Sequence, residues 1–141
     1  MKYSARVANS KDNHQVTLQV GASVHSINIA SRETGFGSSV SGGELSFLAL
    51  ATCYCNDLYR EATKKNINVQ SVEVDVEGDF PAAGEPARNV VYRAKVKADA
   101  DEQEIRELMK FTDTVVEIQN TLRIETPVVL TETEAVKTQP S

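Results

Sequence analysis

Residues 41–65 read S-G-G-E-L-S-F-L-A-L-A-T-C-Y-C-N-D-L-Y-R-E-A-T-K-K. Ser41 stands three residues ahead of Glu44, the spacing of a capping box, in which each end of the motif satisfies a backbone N–H of the other. A helix is therefore expected from Glu44 to about Lys65. Its first half is apolar nearly all round, which marks a buried helix. Its second half turns polar and ends in Lys64-Lys65, cations placed where the helix dipole favours them. At this length it spans about 33 Å. It can cross a whole small domain and reach into a second subunit.

Downstream, V-Q-S-V-E-V-D-V-E-G-D-F (69–80) alternates apolar and polar residues, the pattern of a strand with one face in the core and one in water. P-A-A-G-E-P (81–86) turns the chain back, and N-V-V-Y-R-A-K-V-K-A (89–98) alternates in its second half. Acids at 99–104 suit a helix N-terminus. Thr112 or Asp113 is placed to cap a further helix reaching about Arg123. Pro127 ends it, and V-V-L-T (128–131) reads as a short last strand. Upstream, residues 2–8, 16–20 and 23–30 form an antiparallel meander. The segment S-R-E-T-G-F-G-S-S-V-S-G-G (31–43) holds four of the seven glycines. It is a flexible loop, either a plain connector or a flap over the site that follows. The order β-β-β-α-β-β-α-α-β is that of an α+β domain. It occupies residues 1–132, followed by a disordered tail over 133–141.

At 141 residues the chain makes one domain, large enough to hold a core without staples. A net charge of -5 and no basic run argue against nucleic acid. No signal peptide is expected, nor an apolar run that spans a membrane. Two cysteines make no disulfide framework. A cytoplasmic protein with reduced thiols is expected.

Both cysteines lie on the helix, at 53 and 55. Residues two apart point roughly 200° apart, so a disulfide between them is geometrically poor. The further Cys or His ligands of a zinc site are missing, and neither His14 nor His25 shows ligand spacing, so no metal is expected. Packing or a single reactive thiol remain, since free Cys is among the most buried residue types. Cys53 shares a helix face with Asn56, Asp57 and Arg60. A cation there favours the reactive thiolate, whereas Asp57 opposes it.

The stretch S-G-G-E-L-S-F-L-A-L-A-T-C resembles the helix start of the OsmC/Ohr family, the osmotically inducible protein C and organic hydroperoxide resistance proteins. S-R-E-T-G-F-G resembles the family's Gly-rich loop, and V-E-V-D-V-E-G-D-F the strand after the helix. I-Q-N-T-L-R-I-E-T-P-V-V-L resembles the family's C-terminal helix and last strand. The resemblance covers roughly 1–132, and C-Y-C-N-D-L-Y-R-E-A looks like a distinct subgroup. It implies an OsmC-like fold, with long central helices packed against antiparallel sheets in an intertwined homodimer. It also implies a thiol peroxidase without a cofactor. One cysteine attacks a hydroperoxide, a second resolves the sulfenic acid, and an arginine and a glutamate hold the first as thiolate.

The peroxidatic position matches Cys53. The resolving cysteine's place is taken by Val116. The family glutamate falls on Gly43, with Glu44 one residue late. The family arginine falls in the first hairpin turn, where Lys11 keeps the charge but not the planar fork. Two readings follow. In one, Cys53, with Lys11 and Glu44, reduces a peroxide and an external thiol regenerates it. In the other, a non-catalytic dimer binds a small apolar or electrophilic ligand. Site-lining candidates are Cys55, Asn56, Asp57, Arg60, Phe36 and Tyr54, with Phe47 and Tyr59 as further aromatics for a ligand pocket.

Overall fold

The computed structural model describes residues 1–138. Strand β1 (Tyr3–Ser10) pairs antiparallel with β2 (Asn13–Val20), which pairs with β3 (Ser23–Ile27). Asp12, at the β1–β2 turn, has φ 59°. This left-handed conformation is one that Asp tolerates better than most residues. In β2 only Val16 is buried, and every residue of β3 is exposed. The third strand ends at Ile27 rather than Ala30.

Helix α1 (Gly42–Lys64) follows, then the two-stranded sheet of β4 (Asn68–Asp79) and β5 (Arg88–Asp99). In β4 the shielded positions include Val72, Val74 and Val76, while Glu73, Asp75 and Glu77 face water. Side chains alternate across a strand, so this is the face expected from the pattern. Helices α2 (Glu102–Val115) and α3 (Glu117–Arg123) complete the order and break at Val116, whose backbone is extended. The strand expected over 128–131 is not formed. Residues 126–138 carry no regular secondary structure, and Val128, Val129 and Leu130 are exposed. A strand needs a partner's backbone, which a local pattern cannot supply. Part of the expected tail, 139–141, lies outside the described residues.

The chain divides into two compact units, residues 1–52 with 74–94, and residues 53–73 with the chain from 95 onward. In the first unit, the loop over 31–41 is tied to the β1–β2 hairpin rather than loose. The Asp12 backbone N–H donates to the Gly35 carbonyl at 2.6 Å, and the Gly37 N–H to Asn9 Oδ1 at 3.0 Å. Gly35 has φ 88°, and a Cβ there would stand 2.7 Å from Asp12 Oδ1, so the position requires glycine. Phe47 stacks on Phe80 in the same unit, with ring centroids 5.6 Å apart.

In the second unit, Tyr54, Leu58, Ala62, Leu108 and Val116 are buried. Tyr54, Leu58 and Ala62 recur every four residues, so they share one stripe of α1. The Tyr54 hydroxyl donates to the Met109 carbonyl at 2.9 Å, which ties α1 to α2.

Candidate functional site

The site begins with Cys53, partly buried on α1. Asp57 is one helical turn on and so faces it. The thiol donates to Asp57 Oδ2 at 3.5 Å and to Glu117 Oε2, from α3, at 3.6 Å. The Ile118 backbone N–H also reaches the sulfur. Arg60 closes the other side. One of its terminal nitrogens, Nη1, donates to Asp57 Oδ1 at 3.0 Å and to Glu117 Oε1 at 2.9 Å, while Nε donates to Glu61 Oε2 at 2.8 Å. Lys64 adds a second cation to Glu61 at 3.1 Å. Each carboxylate of the Asp57–Glu117 pair thus gives one oxygen to guanidinium and one to sulfur.

The electrostatics follow from this arrangement. Burial pushes the Cys53 thiol up, the Ile118 N–H pulls it part-way back, and Asp57 and Glu117 push it up further. Burial is also the main force on Asp57, with the neighbouring Glu117 carboxylate second, and raises its carboxyl to about 6. Glu117 moves the opposite way, to about 2, held down first by its coupling to Asp57, then by its own backbone N–H and by Arg60. Arg60 is raised, first by Glu61. At neutral pH the site therefore holds a neutral thiol hydrogen-bonded to a buried carboxylate. A raised thiol pKa leaves less thiolate at any pH below it, so Cys53 is expected to alkylate with iodoacetamide more slowly than a small unperturbed thiol at pH 8. Its rate should go on rising with pH after the small thiol's has levelled. Peptide mapping after timed alkylation checks this, and equal rates would be the contrary result.

The structure brings together Cys53, Asp57 and Arg60 from the expected set and adds Glu117, which the sequence offered only as the neighbour of Val116. Val116 itself is fully buried. Sulfur and the two carboxylates lie within 4.8 Å of one another, a donor set that spacing along the chain did not reveal. Arg60 already bridges the two carboxylates, so the donors are engaged in an ion-pair cage. Glu44 takes part in the capping box. The Ser41 backbone N–H donates to Glu44 Oε2 at 2.7 Å, and the Glu44 N–H to Ser41 Oγ at 3.1 Å. Donation from the Ser41 backbone N–H, then from its hydroxyl, holds the Glu44 carboxyl below its ordinary value. Lys11 is exposed at the β1–β2 turn, and Phe36 is exposed in the loop. Tyr54 is a core residue, its hydroxyl pushed up to about 12 chiefly by burial. Asn56 is exposed, and Cys55 is a partly buried free thiol outside the cage.

The family model for OsmC-like protein matches residues 35–131, which include the whole of α1 and the cage. The chain belongs to the OsmC-like family. No curated protein matches it. Among solved structures, an OsmC-like protein from Mycoplasma pneumoniae is similar at TM-score 0.64 and 18% identity, covering 87% of this chain and 88% of that one. An organic hydroperoxide resistance protein OsmC from Legionella pneumophila is similar at TM-score 0.59 and 17% identity, covering 87% and 90%. An organic hydroperoxide resistance protein from Elizabethkingia anophelis is similar at 0.53 and 14%, covering 87% and 89%. At these identities the likeness carries the OsmC-like fold and no more. The α+β class expected from the sequence stands, without the last strand of the expected order. No helix among the described residues is long and apolar enough to cross a membrane.

Proposed function

We infer that this OsmC-like chain reduces organic hydroperoxides through Cys53, with an external small thiol as reductant, in a reducing, cytoplasmic setting. The observation that carries this reading is the setting of the Cys53 sulfur. It is partly accessible, oriented by the Ile118 N–H and in contact with two carboxylates, whereas Cys55 lies outside the cage. Names of structurally similar proteins as organic hydroperoxide resistance proteins add support. Val116 offers no resolving thiol, so a sulfenic acid formed at Cys53 is released by a thiol from solution. The test is intact mass after a small excess of cumene hydroperoxide with dimedone. A single adduct, mapped to Cys53, is expected. Both thiols unchanged would reject the reading. Without any thiol present, excess peroxide should carry Cys53 on to sulfinic acid, seen as a gain of two oxygens on the same peptide.

The raised thiol favours a second reading, in which the fold binds a small apolar or electrophilic ligand without turnover. Ligand binding unchanged in Cys53→Ser, with no peroxide consumed by the wild type, would select it.

A homodimer belongs to either reading. Tyr3, Val7 and Ile27 share one face of the three-stranded sheet and are exposed in the single chain, as are Ile124, Val128 and Leu130 after α3. Apolar side chains left exposed in this way are what a second copy of the chain would cover. Light scattering behind size exclusion should give twice the chain mass, and a chain truncated after Glu125 should shift toward monomer. A monomeric full-length chain would contradict this.

A further inference from the structure

Of the two carboxylates that contact the Cys53 sulfur, Asp57 is the better fixed. It lies one turn from Cys53 and is buried, with 7% of its surface exposed. Its Oδ2 accepts the thiol hydrogen bond while Arg60 fixes Oδ1. Glu117 also contacts sulfur, but its side chain is 61% exposed, so its geometry is less fixed. We propose that Asp57 is the general base of this site, taking the Cys53 proton as sulfur attacks a hydroperoxide and returning it to the departing alkoxide, with Arg60 holding it in place. The proposal rests on the peroxidase reading above and specifies its chemistry.

The step balances. Sulfur attacks the terminal oxygen of R–O–OH, the S–O bond forms and the O–O bond breaks. Asp57 receives the thiol proton and passes it to RO⁻, leaving Cys53–S–OH and ROH. Sulfur is oxidised by two electrons and the peroxide is reduced by two. Two equivalents of external thiol then restore the cysteine and give a disulfide and water. A poor alkoxide leaving group needs a proton, so a site that keeps the proton beside sulfur supplies both nucleophile and acid. This differs from stabilising a free thiolate with a cation, because here the cation, Arg60, is spent on the two carboxylates.

The charged groups facing Asp57 are Arg60, on its own helix, and Glu117, from α3, besides the Cys53 thiol itself. Glu61 and Lys64 act through Arg60 and its network. Burial, then Glu117, set the Asp57 carboxyl at about 6. It is therefore ionised at neutral pH yet more basic than an ordinary aspartate, as a general base requires.

Two probes separate base catalysis from simple electrostatics. Iodoacetamide needs only thiolate, since iodide leaves without a proton. Cumene hydroperoxide needs the proton as well. Asp57→Asn removes a negative charge beside sulfur, so alkylation of Cys53 should speed up. Its oxidation by peroxide should slow by about 100-fold, the lower end for a lost general base. Glu117→Gln, which removes charge but not the base, should speed both reactions. The opposite signs in Asp57→Asn are the signature, since a merely structural or electrostatic role moves both rates together. A wild-type protein inert to peroxide would overturn the peroxidase reading and the base with it. An oxidised wild type whose two rates move in parallel in Asp57→Asn would overturn the base alone. Should circular dichroism show Asp57→Asn unfolded, the wild-type pH profiles decide. Peroxide oxidation should rise through about 6 and level, while alkylation keeps climbing with pH. Parallel profiles would overturn the base.

Discussion

Cys53→Ser is expected to reduce thiol-dependent consumption of cumene hydroperoxide to the background of dithiothreitol alone, a loss of at least about 100-fold. A serine hydroxyl cannot form a sulfenic acid. It is close in size to the thiol and keeps a donor for Asp57, so the fold should be retained and the loss is chemical. Cys55→Ser is the informative companion. Its side chain points roughly 200° away around the helix from that of Cys53, and it takes no part in the cage. That variant should keep most of the wild-type rate. A ferric–xylenol orange assay of residual peroxide reads both variants. Cys53→Ser retaining half its activity, or Cys55→Ser losing it, would reject Cys53 as the nucleophile.

The parts of this fold legible in the sequence are those whose cause is local. The Ser41–Glu44 box announced the start of α1, and its reciprocal hydrogen bonds are made. The alternation in β4 was legible for the same reason, since it is a property of a few adjacent residues. The strand over 128–131 was not, because pairing depends on a backbone that sequence order does not bring near. The site divides along the same line. Cys53, Asp57 and Arg60 fall together through helical periodicity and could be named without a structure. Glu117 lies 64 residues from Cys53 and could not be placed by spacing. Its one signal was position, directly after the residue standing where the family keeps its resolving cysteine. The absence of that cysteine drew attention to Val116, while the acid beside it contacts the sulfur. Glu44 carries two readings. Its nearness in sequence to the family glutamate made it a candidate, but the same residue is what an N-terminal cap demands.

Leu58→Ala is expected to lower stability by about 3 kcal/mol, within the usual cost of deleting a buried leucine side chain. The residue is fully buried, and few large apolar side chains among the described residues share that state. A sparse core has little spare packing, so neighbouring side chains cannot collapse into the space and the cavity contribution persists. For a chain of this length the loss corresponds to a fall in Tm of about 10 °C, readable by differential scanning fluorimetry or circular dichroism. A shift of only a degree or two would mean that Leu58 is less confined than its burial implies. The same variant also tests whether stability and chemistry are separable here. Leu58 is five residues from Cys53, roughly 140° around α1, so it serves the packed stripe while the thiol serves the cage. Measured well below the lowered Tm, its sulfenylation rate should stay within about twofold of wild type, as for sites that share no partner. A fall in rate comparable to that expected for Asp57→Asn would mean instead that the packed stripe sets the thiol–carboxylate distance, and that the cage is held from beneath by Leu58 as much as from the side by Arg60.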